Sequence, residues 1–202
     1  MKLILATHNA DKVKELTNRL KKLGVHPVLL SSFPDIGDIP ETGKTLTENA
    51  LIKARTVYRI TGLPSLADDT GLEVDALNGA PGVYSARWAG EDCSYRDNVN
   101  KMIDEIRSVP EKDRKATFRT IMALVDNERE LIAEGVIEGK ILSKAKGEGG
   151  FGYDPVFYVE KKQKTFAEMT LEEKGQLSHR GRALEKMINL IEHNYFKQSL
   201  SG

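Results

Sequence analysis

The strongest constraint on the fold is the opening of the chain, where a short apolar run, an amphipathic helix pattern and a second short apolar run follow one another. The run Lys2–Thr7 has the length and the continuous apolar character of a buried strand. Apolar residues then recur on one helical face up to a stop at Gly24, and His26–Leu30 predicts a second strand. This β-α-β opening predicts an α/β protein.

Later segments add helices and a strand hairpin. Thr45–Glu48 and Thr170–Glu173 both match the capping box that starts a helix. Two long strand patterns, Ala116–Asp126 and Leu131–Ile141, are separated by a short polar turn and predict a hairpin. We therefore expect a mixed β-sheet with flanking helices, elongated by the hairpin, in a single domain over residues 1–202.

The stretch Ser65–Gly90 places two adjacent carboxylates after an apolar run. Ser65–Ala67 predicts a strand that delivers Asp68 and Asp69 to its end, and the Thr-Gly pair that follows is typical of a turn. Taken alone, this stretch fits two interpretations equally well. The aspartates either cap a turn or face a ligand.

Composition and charge exclude several classes of protein. Lys plus Arg equal Asp plus Glu at 30 each, whereas nucleic-acid binders usually carry a basic excess, so we expect no nucleic-acid partner. Cys93 is the one cysteine, which excludes an internal disulfide framework and favours a reducing compartment. No apolar run approaches the ~20 residues of a membrane span. We expect a cytoplasmic protein without a membrane partner.

Familiar nucleotide and metal motifs fail on context. Gly147–Gly152 matches the letters G-x-G-x-x-G, but Tyr153-Asp-Pro155 and a strand pattern follow instead of the helix that a dinucleotide site requires. The four histidines have no zinc-site spacing with one another or with Cys93. These signals predict neither a dinucleotide cofactor nor a zinc site.

A set of charged side chains in loops and near element ends remains. Mg²⁺ suits such a set, because it takes a few carboxylates, keeps several waters and completes its shell with substrate phosphates. Lysines and the N-terminus of the first helix favour a phosphate chain. Alternatives stay open, since Lys12 alone fits a solvated lysine and Asn9 or Asp11 a plain helix cap. The candidate oxygen donors are Glu41, Asp68 and Asp69. The candidate cations are Lys12, Lys53, Lys174 and Arg180.

Six motifs, in order along nearly the whole chain, resemble those of one known family. They are Thr7-His-Asn-Ala-Asp-Lys12, Glu41-Thr-Gly-Lys-Thr-Leu-Thr-Glu-Asn-Ala50, Ala67-Asp-Asp-Thr-Gly-Leu72, Gly79-Ala-Pro-Gly-Val-Tyr-Ser-Ala-Arg87, Gly149-Gly-Phe-Gly-Tyr-Asp-Pro155 and Leu177-Ser-His-Arg-Gly181. The family is that of the inosine triphosphatase-like XTP/dITP pyrophosphatases, which resemble house-cleaning enzymes for deaminated purine nucleotides.

The resemblance implies a role for each matching residue. Glu41 and Asp69 are implied as Mg²⁺-linked carboxylates, Asp69 also as the general base that activates water, and Asp68 as support for the metal. The implied phosphate-binding residues are Thr7, His8, Asn9, Ala10, Asp11, Lys12, Lys53 and Thr70. The implied base-binding residues are Phe151, Gly152, Tyr153, Asp154, Lys174, His179 and Arg180.

The same resemblance implies a fold and an activity. The fold is an elongated mixed α/β sheet with two lobes around a central cleft, usually in a homodimer. The activity is Mg²⁺-dependent conversion of ITP, dITP and XTP to the monophosphate and pyrophosphate. Two other interpretations remain, namely a nucleotide-binding regulatory module without turnover and a sister pyrophosphatase for pyrimidine or modified nucleotides. Without the resemblance, Phe151 is better explained as a core aromatic. For Asp154 a turn residue, and for His179 the first residue after a Ser178 cap, stay open as alternatives.

Overall fold

A computed structural model describes residues 1–196 and contains a mixed α/β arrangement of helices and strands. No helix within that part of the chain is long and apolar enough to cross a membrane. The α-helices are α1 (Ala10–Lys21), α2 (Leu46–Thr61), α3 (Tyr95–Glu105), α4 (Leu171–Leu177) and α5 (His179–Ile191). The strands are β1 (Lys2–Leu5), β2 (His26–Leu29), β3 (Ser65–Val74), β4 (Pro81–Gly82), β5 (Lys115–Val125), β6 (Glu130–Ile141), β7 (Phe157–Val159) and β8 (Lys164–Thr165).

The strands form one sheet that contains both parallel and antiparallel pairs. Their order is β2-β1-β3-β5-β6-β7-β8, and β4 pairs with β3 off this path. β1 runs parallel to β2 and to β3, with Ile4 opposite Ser65, whereas β3 and β4 are antiparallel, with Leu72 opposite Gly82. The predicted mixed sheet is confirmed.

The chain divides into two compact units, each with its own hydrophobic core. Unit 1 comprises Met1–Asp69, Thr120–Gly135 and the described residues from Arg182 onward, and unit 2 comprises Thr70–Arg119 and Val136–Gly181. The core of unit 1 contains, among others, Leu3, Leu5, Leu16, Leu20 and Met187. The core of unit 2 contains, among others, Leu72, Met102, Phe118, Phe157 and Phe166. The assignment of the whole chain to a single domain stays a prediction.

Local sequence signals set the helix boundaries. Thr45 caps α2 and Thr170 caps α4 through complete capping boxes, as predicted. Gly62 ends α2 at φ 67°, a left-handed conformation that glycine adopts without the steric cost of a side chain. At the start of α5, the Gly181 N–H donates to Ser178 Oγ at 3.1 Å, which confirms the predicted serine cap.

The turn predicted after Asp69 is wrong. β3 continues through Thr70 and Gly71 to Val74, so the paired aspartates lie inside a strand and not at its end. Turn propensity is a local preference, and here burial and cross-strand pairing override it. Asp68 and Asp69 are both buried, and each lies within 3.4 Å of a lysine Nζ, so their charge is compensated where they stand.

Candidate active site

Lys53 lies between two carboxylates in unit 1. It projects from α2, and its Nζ is 2.6 Å from Glu41 Oε1 and 3.4 Å from Asp69 Oδ1. Glu41 belongs to the loop that precedes α2, while Asp69 belongs to β3. The lysine therefore joins a loop, a helix and a strand through charged contacts that are largely shielded from solvent.

A second lysine pairs with the neighbouring aspartate. Lys12 Nζ, on α1, lies 3.1 Å from Asp68 Oδ2, whose side chain is almost fully buried. The turn before α1 is organised by Asn9, whose Oδ1 accepts from the backbone N–H groups of Asp11 at 2.9 Å and Lys12 at 3.1 Å. Asn9 is thus a helix cap, as one of the interpretations of the sequence proposed. The Thr7 hydroxyl accepts from the Asn9 N–H at 3.2 Å and completes the turn.

Burial and charge oppose each other in this cluster. Burial raises the pKa of the Asp69 carboxyl above its ordinary value; Lys53 and Lys12 work against that rise, and Glu41 adds to it. Burial lowers the pKa of Lys53, but the carboxylates of Asp69, Glu41 and Asp68 outweigh burial, so its net pKa lies above the ordinary value. Lys53 is therefore a cation at neutral pH.

The donor chemistry of the cluster fits a hard divalent cation. Glu41 and Asp69 offer carboxylate oxygens, and Mg²⁺ commonly takes only one or two protein carboxylates. Asp69 Oδ2 is buried and has no partner at hydrogen-bonding geometry among residues 1–196. Within the same residues, no group of three or more His, Cys, Asp or Glu side chains is arranged to hold a metal ion. The two carboxylates therefore fit a Mg²⁺ ion whose remaining ligands would be substrate oxygens and water.

In unit 2, a buried ion pair joins α4 to the loop that carries Phe151. Lys174 Nζ lies 2.7 Å from Asp154 Oδ2, and both side chains are at most 5% exposed. The same carboxylate oxygen accepts from the Phe151 N–H at 2.8 Å. Asp154 is therefore more than a turn residue, because it ties α4 to the loop that carries Phe151.

The backbone of this loop requires glycine where it passes the carboxylate. Gly150 has φ +73°, and a Cβ at this position would lie 2.0 Å from Asp154 Oδ2. A side chain here would displace the oxygen that binds Lys174 and the Phe151 N–H. Gly150 is consequently a packing requirement of the ion pair. No helix begins directly after the glycine-rich segment, as a dinucleotide site would require.

Cations and rings surround Phe151. Its ring centroid is 4.6 Å from Lys174 Nζ and 5.2 Å from the Arg180 guanidinium carbon, distances typical of cation–π contacts. Arg180 also donates to the Thr70 hydroxyl at 3.3 Å. His179 is buried and stacks on Phe118 with 4.4 Å between ring centroids. Phe151 itself is only partly buried, so it is not a core aromatic.

The structure gathers most, but not all, of the residues implied by the resemblance. Glu41, Lys53 and Asp69 meet in unit 1, next to the Lys12–Asp68 pair. His8, Ala10 and Asp11 are exposed. In unit 2, Thr70, Phe151, Asp154, Lys174 and Arg180 form one connected set. Tyr153 is buried instead, its hydroxyl donating to the Ser85 carbonyl at 2.9 Å, and burial raises its pKa.

Sequence reasoning missed Asn49. This residue on α2 is fully buried, and against the rise caused by burial its side chain contributes to lowering the pKa of the Asp69 carboxyl. A usable signal existed, because Asn49 occupies the helical stripe of Leu46, Ala50 and Ala54, all of which are buried. A lone polar residue on an apolar stripe indicates a specific partner.

Fold and site together define a class: a mixed α/β protein with a lysine-bridged carboxylate cluster in one unit and an aromatic ring flanked by cations in the other. Residues 3–190 match the model of the Ham1 family. The chain belongs to the Ham1 family, and the family resemblance carried by the six motifs is confirmed.

Curated relatives and solved structures extend over almost the full length. The chain is 50% identical over 194 residues to a dITP/XTP pyrophosphatase of Thermoanaerobacter pseudethanolicus, covering 95% of this chain and 96% of the relative. It is 48% identical over 201 residues to one of Desulforamulus reducens, covering 99% and 100%. Among solved structures, a HAM1 protein from Coxiella burnetii has a TM-score of 0.89 at 41% identity, covering 96% of this chain and 99% of that one.

Proposed function

We propose that this chain hydrolyses deaminated purine nucleoside triphosphates, namely ITP, dITP and XTP, to the monophosphate and pyrophosphate, and so clears them from the nucleotide pool. The observation that carries the proposal is the position of Lys53 between Glu41 and Asp69. The chain that contains this lysine is 50% identical to a curated relative named dITP/XTP pyrophosphatase. Carboxylates and cations held at one place are what phosphoryl transfer requires, because its catalysis is mostly positioning and charge stabilisation.

The proposed phosphate-binding groups are the turn before α1, Lys53 and Thr70. Lys12 and Lys53 are held by carboxylates in the structure, and a triphosphate would compete for these cations. The raised pKa of Lys53, caused by the neighbouring carboxylates, supports the assignment, since the lysine keeps its proton at neutral pH. The turn contributes Thr7, His8, Asn9, Ala10, Asp11 and Lys12.

Asp69 is the proposed general base. It would take a proton from the water that attacks the α-phosphorus, and pyrophosphate would leave with its charge held by the lysines. Burial raises the pKa of Asp69 above its ordinary value, which makes the carboxylate a better proton acceptor. Asp68, held by Lys12, supports the position of its neighbour.

Mg²⁺ is the proposed cofactor, with Glu41 and Asp69 as the residues that would hold it. A bound Mg²⁺ supplies positive charge to the phosphate oxygens. The carboxylate pair and the buried Asp69 Oδ2 support this choice of ion. Asp68 is assigned a supporting role toward the metal.

Base recognition is assigned to Phe151, Gly152, Tyr153, Asp154, Lys174, His179 and Arg180. Hypoxanthine and xanthine carry a carbonyl at C6, to which His179 and Arg180 can donate. Adenine carries an amino group there and would leave buried donors unpaired, a mismatch that can cost about 10⁴–10⁵-fold in selectivity. The cations around Phe151 support this assignment, since they hold the ring that a base would stack on.

We further propose that the protein acts in the cytoplasm as a homodimer, without a membrane or nucleic-acid partner. The net charge of zero supports the last point, because a polyanion surface is bound through a basic excess.

The test is pyrophosphate release from a panel of nucleotides with and without Mg²⁺. We expect release from dITP, ITP and XTP only with the metal present, and much slower release from ATP. Equal rates on ATP and ITP would overturn the account of base recognition. Binding without release would favour a regulatory module, and preference for pyrimidine or modified nucleotides a sister pyrophosphatase.

A further inference from the structure

Asn49 is a buried amide whose two ends face different parts of the unit 1 cluster. It lies in the first turn of α2, which begins at Leu46, and its side chain is fully buried. A fully buried amide needs partners on both sides, because an unsatisfied buried donor or acceptor costs about 1–3 kcal/mol. Its partners therefore indicate what the residue does.

One end of the amide holds the loop that carries Glu41. The Gly43 N–H donates to Asn49 Oδ1 at 2.8 Å. A backbone N–H can pair only with an acceptor, so this contact fixes which end of the amide is oxygen. The Asn49 NH₂ group consequently points away from Gly43.

The approach of this loop to α2 is close enough to demand glycine. A Cβ on Gly43 would lie 2.7 Å from Asn49 Oδ1 and 2.6 Å from Glu48 Cβ. Any side chain at position 43 would push the loop off the amide. The Gly43–Asn49 hydrogen bond therefore depends on glycine at position 43.

The other end of the amide is a buried donor without a partner. Asn49 Nδ2 and Asp69 Oδ2 are a buried donor and a buried acceptor, and neither has a partner at hydrogen-bonding geometry among residues 1–196. Against the rise caused by burial, a contribution of the Asn49 side chain that lowers the pKa of Asp69 is consistent with a donor near this carboxylate. Lys53, one helical turn further along α2, contacts the other oxygen of the same carboxylate. Asp69 Oδ1 thus contacts a cation of α2, and Asp69 Oδ2 is a buried acceptor that an NH₂ group one turn earlier on the same helix would satisfy.

We propose that Asn49 is a positioning residue: anchored by the Gly43 N–H, it presents its NH₂ group to Asp69 and couples the Glu41 loop to the orientation of that carboxylate. The role of Asn49 in catalysis rests on the proposed function of the chain, whereas its contact with Asp69 does not. Asn49 touches neither substrate nor water in this role. It acts through Asp69.

The isosteric variant Asn49→Asp separates the two halves of the role. Its carboxylate still accepts from the Gly43 N–H but offers no donor to Asp69, whereas Asn49→Ala removes both contacts. Thr45→Ala is the matched control, since it weakens the start of the same helix by removing the hydroxyl that accepts from the Glu48 N–H, and leaves the backbone contact with Asn49 in place. Gly43→Ala displaces the anchor from the opposite side.

The first readout is spectroscopic and needs no activity. The side-chain NH₂ signal of Asn49, assigned by its disappearance in Asn49→Asp, should move strongly in Asp69→Asn and little in Thr45→Ala. An NH₂ signal that responds equally to both changes would overturn the contact. Failure of the proposed function would leave this result untouched.

The second readout is kinetic, with dITP as substrate. We expect Asn49→Asp and Gly43→Ala each to lower kcat about 10- to 100-fold, since a misplacement of about 1 Å can cost about 100-fold, with KM changed much less. Thr45→Ala should keep the wild-type kcat. A wild-type kcat in both Asn49→Asp and Gly43→Ala would refute the role of Asn49 in catalysis, and an inactive wild type would instead refute the proposed function.

Discussion

Removing the buried Lys174 should destabilise the protein by more than removing an exposed lysine does. Lys174→Met leaves the Asp154 carboxylate, only 3% exposed, with its Phe151 N–H contact but without its cation. Breaking a buried pair in this way costs about 3–5 kcal/mol, because a charge stays buried without compensation. That is a large share of the about 5–15 kcal/mol that stabilises a typical domain.

The assay is urea unfolding, with the loss taken from the shift in midpoint at unchanged slope. Lys164→Met is the matched control, since Lys164 pairs with Glu173 of the same helix at 3.2 Å but is 43% exposed. That substitution should cost at most about 1 kcal/mol. Adding Asp154→Asn to Lys174→Met should recover stability, because it removes the stranded charge. A Lys174→Met variant as stable as Lys164→Met would refute the reasoning.

Two further predictions concern the backbone and the pH dependence. Gly24 and Gly147 both have positive φ, +72° and +82°, but only at Gly147 would a Cβ meet backbone, at 2.6 Å from Ala167. Gly24→Ala should cost about 1–2 kcal/mol and Gly147→Ala at least about 1 kcal/mol more in urea unfolding, and equal losses would contradict this. Burial tends to raise the pKa of Asp126, but hydrogen bonds from Tyr195 and from backbone N–H groups outweigh it and hold that pKa below its ordinary value. This stabilisation is complete above the unfolded pKa of about 3.9 and is lost as pH falls through the lower folded pKa, so Asp126→Asn should be less stable than wild type at neutral pH and approach it in acid. A stability difference independent of pH would contradict that sign.

The secondary structure was largely predictable because its signals are local. The β-α-β opening, both threonine capping boxes and the stop at Gly62 depend on residues a few positions apart. The conformation of Thr70 and Gly71 was not predictable in this way, since the pair is typical of a turn but lies within β3. Pairing with lysines from α1 and α2 stabilises charged residues inside a strand, and a local pattern does not contain those partners.

The site residues stay a prediction, and the sequence contained no information on the contacts among them. One of the motifs that carry the family resemblance contains Asp69, and the resemblance also implied roles for Lys53 and Lys174, which lie close to the motifs. The motifs do not say that Lys53 bridges Glu41 to Asp69, or that Lys174 is buried against Asp154. These contacts join residues 12 to 20 positions apart, and only the folded backbone brings them together.

The most direct test of the proposed function is the rate of pyrophosphate release from dITP by wild-type protein and by Asp69→Asn, measured with saturating Mg²⁺. Asparagine is nearly isosteric with aspartate and leaves the proposed phosphate-binding lysines in place, but it cannot accept the proton of the attacking water. We expect release by the wild type, a loss of about 10²–10⁴-fold or more in Asp69→Asn, and largely retained nucleotide binding. Turnover of dITP by Asp69→Asn at the wild-type rate would contradict the assignment of the general base, and a wild type that binds dITP without releasing pyrophosphate would contradict the proposed activity itself.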